Sequence, residues 1–156
     1  MTGGPGADVD PADVDPAAAL AVAQMFLDAV IWAEHLTVWD LLAPSAREVA
    51  LFGAASRGLD AVAVERARQG TWTTAERDTL LGELVRGLTV DLGGARLDDL
   101  IVAAAYPRPD GRIEVQLEAH STLPDTMTSG SGWSVARLVL VERSDVETWQ
   151  VERIVR

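Results

Sequence analysis

Arg112-Ile113-Glu114-Val115-Gln116-Leu117-Glu118-Ala119-His120 alternates between polar and apolar side chains without a break. In an extended backbone, successive side chains point to opposite faces. Ile113, Val115, Leu117 and Ala119 therefore share one face, and Arg112, Glu114, Gln116, Glu118 and His120 the other. The spacing predicts a strand over 112–121 that is dry on one side and wet on the other. Pro107-Arg108-Pro109-Asp110-Gly111 before it is a turn, and the apolar run ahead of that turn predicts a partner strand over 97–106. After it come a polar link, 122–132, read as a mobile loop at one end of the sheet, and two more β-favouring runs, 133–143 and 146–155. The last two are divided only by Arg143-Ser144-Asp145, and both short turns force antiparallel hairpins.

Two runs in this half depart from alternation. Leu138-Val139-Leu140-Val141 and Ile101 to Ala105 are apolar on both faces, which predicts strands covered from both sides. Helices can supply one cover. The other requires a curled sheet, a further helix or a second subunit, and a homodimer through the sheet is the expectation this raises.

Ahead of Gly93-Gly94 the grammar is helical. Asp15 can cap free amides and Pro16 suits a first helical position, so a helix is expected to start there and run to about His35. Gln24, Asp28, Ile31 and His35 fall within about 40° of Ala17 at 100° per residue, and the rest of the circumference is almost wholly apolar, which predicts a helix buried on most sides with one narrow polar stripe. Ser45 and Glu48 have capping-box spacing for a helix over 46–57, Asp60 opens a short helix ending near Gln69-Gly70, and Thr73 with Glu76 opens another to about Leu88. Residues 1–15, with the tandem Ala7-Asp8-Val9-Asp10-Pro11 and Ala12-Asp13-Val14-Asp15-Pro16, carry too few large apolar groups to order themselves. They are read as a disordered acidic tail, with a docking peptide as the functional alternative, and the folded domain as 16–156.

Composition narrows the chemistry. At 156 residues, 48% apolar and 24% charged, the chain supports one α+β domain with one core. Cys, Lys and Asn are absent, which removes disulfides, thiolate nucleophiles and metal sites, Schiff bases and lysine-dependent phosphate loops. The 13 basic residues are all Arg, set against 24 acids for a net charge of −11, so nucleic acid and anionic membranes are not expected partners. Ala17 to Ala33 is interrupted by Gln24 and Asp28 and no positive leader precedes it, which argues against secretion or membrane spanning and makes a cytoplasmic location the expectation. Gly93-Gly94 lacks a third spaced glycine and follows a helix, and the two His residues lack metal-ligand spacing, so neither cofactor nor metal is expected.

Phe26-Leu27-Asp28-Ala29-Val30 running through His35 to Trp39-Asp40-Leu41-Leu42-Ala43-Pro44, with Trp149-Gln150-Val151-Glu152-Arg153-Ile154 at the end, is similar to the first helix, tight connection, second helix and closing strand of the nuclear transport factor 2-like superfamily. The resemblance covers residues 16–156 and implies N-terminal helices packed on a curved antiparallel sheet of four or more strands, a cone-shaped barrel with a pocket beneath it, and pairing through the sheet. Residues 59–70 depart from it, because they read as helix where many relatives have a β-hairpin. Function does not follow from the fold, since enzymes, ligand binders and adaptors share the scaffold.

Within that frame Asp28 is the candidate base, mid-helix in an apolar surround, although its place on a solvent stripe is the plainer explanation. His35, about 10 Å further along, could line the same cavity or simply interact with a helix C-terminus. Tyr106, the only Tyr, is the candidate oxyanion donor, or else a strand-end packing residue. Trp32, Asp40 and Trp149 are the candidate ligand contacts, with local capping the plainer role for Asp40. The leading expectation is a domain without catalysis that binds a hydrophobic small molecule or a protein partner. The alternative is a cofactor-free isomerase, cyclase or hydrolase with Asp28 as base and His35 or Tyr106 assisting.

Overall fold

The Asp15 carboxylate accepts a hydrogen bond from the Ala17 amide at 3.0 Å, and Pro16 takes the first helical position, so helix α1 (Pro16–Ile31) begins where its capping chemistry requires. A computed structural model describes residues 15–92, 94–119, 133–143 and 148–155. The N-terminal stretch 1–14, His120 and the expected loop 122–132 lie outside the described residues. After α1 come α2 (His35–Leu41), α3 (Pro44–Ser56), α4 (Ala61–Gln69) and α5 (Thr74–Asp91), then a short 3-10 turn, and strands β1 (Leu100–Pro107), β2 (Ile113–Ala119), β3 (Trp133–Arg143) and β4 (Thr148–Val155).

Helix α1 ends earlier than its composition suggests. Ala33 adopts a left-handed conformation, φ 54°, and the Glu34 amide reaches back to the Ala29 carbonyl at 2.8 Å, which reverses the chain into α2. Ala19, Ala23, Phe26, Leu27 and Val30 line the buried side of α1, which crosses the inner face of the sheet. The exposed side is broader than the expected narrow stripe. Besides Ala17, Gln24 and Asp28 it carries Ala18, Ala21, Met25 and Trp32, and Ile31 is half-buried. Helix α3 starts at Pro44 with Ala43 as its cap, so Ser45 falls inside the first turn and makes no capping bond. The Thr73–Glu76 capping box at the start of α5 is complete. Residues 61–69 are helical, closed by Gly70 at φ 75°, a value that suits glycine.

The sheet is a four-stranded antiparallel meander in the order β1-β2-β3-β4. Residues 97–99, expected in the first strand, belong instead to the 3-10 turn. Ile113, Val115, Leu117 and Ala119 are all buried while the residues between them are half-exposed, as the alternation requires. One irregularity interrupts each strand pair, and bulges of this kind bend strands locally. The expected barrel does not form, because β1 and β4 remain the two edges of an open sheet. The edge of β4 is met by the α2–α3 connection, where Leu42 bridges Val151 and the Ala43 amide donates to the Val151 carbonyl at 2.7 Å. Phe26 and Leu27 join Ile113, Val115, Leu117, Leu138 and Leu140 in one fully buried cluster between helices and sheet.

The outer face of the sheet shows how the doubly apolar third strand is covered within one chain. Val139 is 2% exposed although it pairs with Glu114 and Arg153 on the polar face. Arg112 on one side of β3 reaches Glu152 on the other through two bonds of 2.8 and 2.9 Å, and Glu114 binds Arg137 at 3.1 Å. The aliphatic stems of these side chains can shield the strand they span. Strand β1 is different: Ile101, Ala103 and Tyr106 are exposed, so the two-sided cover expected for it is missing in the single chain.

Candidate functional site

The largest concavity among the four clefts described here lies between helices rather than under the sheet. One side of α3 presents Ala46, Ala50, Gly53 and Arg57 at spacings of three and four residues, and α5 presents Leu80, Leu84, Gly87, Leu88 and Asp91 in the same way. Arg57 meets Glu83 at 3.8 Å at one end, while Ala46 shares a wall with Leu88 and Asp91 at the other, so the two helices run in opposite directions. Small side chains along α3 leave a cleft of about 500 Å³. It continues, through Ala50, Leu84, Leu88 and Asp91, into a second recess of about 300 Å³ floored by Val151 to Ile154 of β4. Val49 and Val90 stand exposed at its margins. A side chain added at Gly87 would meet nothing within 4 Å.

A second, more polar recess of about 300 Å³ is built around Trp39. Trp39 and Trp72 stack obliquely with centroids 5.3 Å apart, the Arg47 guanidinium carbon lies 5.4 Å from the Trp39 ring centre, and Arg47 donates to the Trp39 carbonyl at 3.0 Å. Arg68 binds both Glu48 and Glu65 at its rim. The Arg68 bond holds the Glu48 carboxyl below its usual range, and Arg68 is raised in turn. These groups satisfy one another.

Comparison with protein-family models, curated proteins and solved structures finds no match to this chain.

The residues singled out from the sequence are spread over the molecule. Asp28 is exposed on the solvent side of α1 and accepts from the Gln24 amide at 3.0 Å. Tyr106 is half-exposed on the outer face of the sheet, opposite Glu114, so the buried layers of α1 and the sheet lie between it and Asp28. His35 is half-buried at the start of α2, its ring facing Gly82, and lines a shallow recess with Arg77 and Asp78. That position removes the explanation through a helix C-terminus. Trp32 is 75% exposed, Trp149 is a core residue, and Asp40 is exposed while its carbonyl accepts from Gln150 at 3.1 Å and from Arg47 at 3.3 Å. None of Asp28, Trp32, Asp40, Tyr106 or Trp149 lines the four clefts. The α3 and α5 residues that do line the largest one were not singled out, although the small residues of α3 at helical spacing were the signal. Among the described residues there is no group of three or more His, Asp or Glu placed to hold a metal, and no helix long and apolar enough to cross a membrane.

Proposed function

We propose that this chain is a binding domain without chemistry of its own, whose α3–α5 cleft takes an elongated hydrophobic molecule. The observation that carries this reading is the cleft itself: its volume of about 500 Å³ is of the size of small-molecule sites, and its walls are mostly Ala, Gly, Leu and Val residues, with Arg57, Glu83, Arg86 and Asp91 among them. Arg57 and Arg86 at its rim suit an acidic end group on such a molecule. The order of helices followed by a meander supports the nuclear transport factor 2-like resemblance as part of this reading. The filled space beneath the sheet and the helix at 61–69 would make it a member that has moved its binding site to the helical layer.

A dansyl-labelled fatty acid is the probe. The wild-type chain is expected to enhance its emission in a saturable titration, Gly87→Ala to leave this unchanged, and Gly87→Leu, which projects four carbons into open space, to abolish it while circular dichroism shows an unaltered fold. No saturable enhancement, or equal binding by Gly87→Leu, refutes the proposal.

A further inference from the structure

The outer seam of α1 has a different character. Ala18, Ala21, Met25, Asp28 and Trp32 recur at alternating steps of three and four residues, the spacing by which one helix presents a continuous line to another. All five are exposed, Met25 at 52% and Trp32 at 75%, on the side of α1 turned away from the core. The line is about 21 Å long, four turns of helix. Four residues beyond Trp32, Leu36 is also half-exposed. Large exposed indole and thioether groups in one row are what a partner's apolar side chains cover at the centre of an interface.

The charge around this seam selects the partner. Over residues 15–36, α1 and its flanks, the chain carries three acids, Asp15, Asp28 and Glu34, all exposed, and no Lys or Arg. Asp28 stands inside the line itself, and its carboxylate accepts a hydrogen bond from the neutral Gln24 amide. An apolar helix laid here would strip water from that carboxylate without compensating it, whereas an Arg or Lys opposite would pair with it. A second copy of this chain would bring the same acids to the same face.

We propose that the Ala18–Trp32 seam docks a basic amphipathic helix of a partner protein, its apolar stripe covering Met25 and Trp32 and a basic side chain facing Asp28. The assignment uses no residue of the α3–α5 cleft and stands or falls apart from it.

Three labelled eighteen-residue helical peptides test it by fluorescence anisotropy: one with a leucine seam flanked by Arg, its counterpart with Glu for Arg, and a scrambled basic peptide of the same charge. The wild-type chain is expected to bind the first only. Trp32→Ala should weaken that binding at least roughly tenfold. Asp28→Arg should abolish it and confer binding of the Glu peptide, and Gly87→Leu should leave it unchanged. Asp28 on α1 and Trp32 at its C-terminal cap are both exposed, and thermal melting checks that each variant folds. Equal binding of the scrambled peptide would reduce the effect to net charge, and insensitivity to Trp32→Ala would place binding elsewhere. Self-association of the free chain that Trp32→Ala dissolves would assign the seam to a second copy. Each of these results overturns the proposal, as does an absence of binding.

Discussion

Glu76 serves two purposes with one carboxylate. Its Oε1 accepts from the Thr73 amide at 2.9 Å and closes the capping box of α5, while both oxygens accept from the Arg66 guanidinium of α4 at 2.5 to 3.1 Å. The Arg66 bonds above all, and then the Thr73 amide, hold its pKa at about 2 against an ordinary 4.5. A carboxyl depressed on folding contributes stability that is complete above the unfolded value and is lost as pH falls through the folded one. Glu76→Gln should therefore melt at a lower temperature than wild type at pH 7, and the gap should close between pH 4.5 and about 2, as followed by circular dichroism. Thr73→Ala should cost about 1 kcal/mol at neutral pH, the usual worth of such a cap. The Thr73–Glu76 half of this arrangement was legible because a capping box is a local spacing. Arg66 was not, since its partner sits on another helix ten residues away. The same spacing at Ser45 and Glu48 misleads: Pro44 draws the helix start back to Ala43, and Glu48 turns to Arg68 instead.

At the level of elements, period-two alternation was the reliable guide. It placed β2 and the buried set Ile113, Val115, Leu117 and Ala119, because a one-residue slip would put four charged or polar groups in the core. It could not place the bulges, nor the 3-10 turn over residues 94–99, where Asp98 and Asp99 are poor strand formers. Leu117→Ala should cost roughly 2 to 5 kcal/mol in denaturant unfolding, since its side chain is fully buried, against a change within about 0.5 kcal/mol for Gln116→Ala beside it. The pair that spans β3 is a subtler case. Arg112 and Glu152 are 40 residues apart, bound by two bonds, with side chains partly shielded. A double-mutant cycle to Ala at both positions should return about 1 kcal/mol of coupling, at the upper end for ion pairs near a surface because the fork is bidentate. The cleft was the least legible feature. Its existence depends on how far α3 and α5 stand apart, a tertiary quantity, and the small residues of α3 only permit it.

Across the whole molecule the decisive quantity is the excess of negative charge and where it lies. Of eleven net negative charges, seven belong to the first 46 residues, in which no basic side chain answers them. The cations all lie from Arg47 onward, and several are engaged with nearby acids, as in Arg66–Glu76, Arg68–Glu48 and Arg112–Glu152. Salt acts on these two populations differently. Raising ionic strength from 0.01 M to 0.15 M shortens the screening length from about 30 Å to about 8 Å, which weakens repulsion between acids that have no cation in contact. Ion pairs in hydrogen-bonded contact are far inside that distance and lose less, and exposed pairs contribute little to begin with. The melting temperature should therefore rise with sodium chloride over this range, and the double variant Asp28→Asn/Asp40→Asn should start higher at low salt and rise less. A melting temperature that falls with salt would mean that the pairs outweigh the excess. Binding of a basic helix to α1 should respond in the opposite sense, weakening over the same range, because there the unanswered acids are the attraction. One charge distribution would then hold the free chain below its best stability and make the cationic partner the species that relieves it.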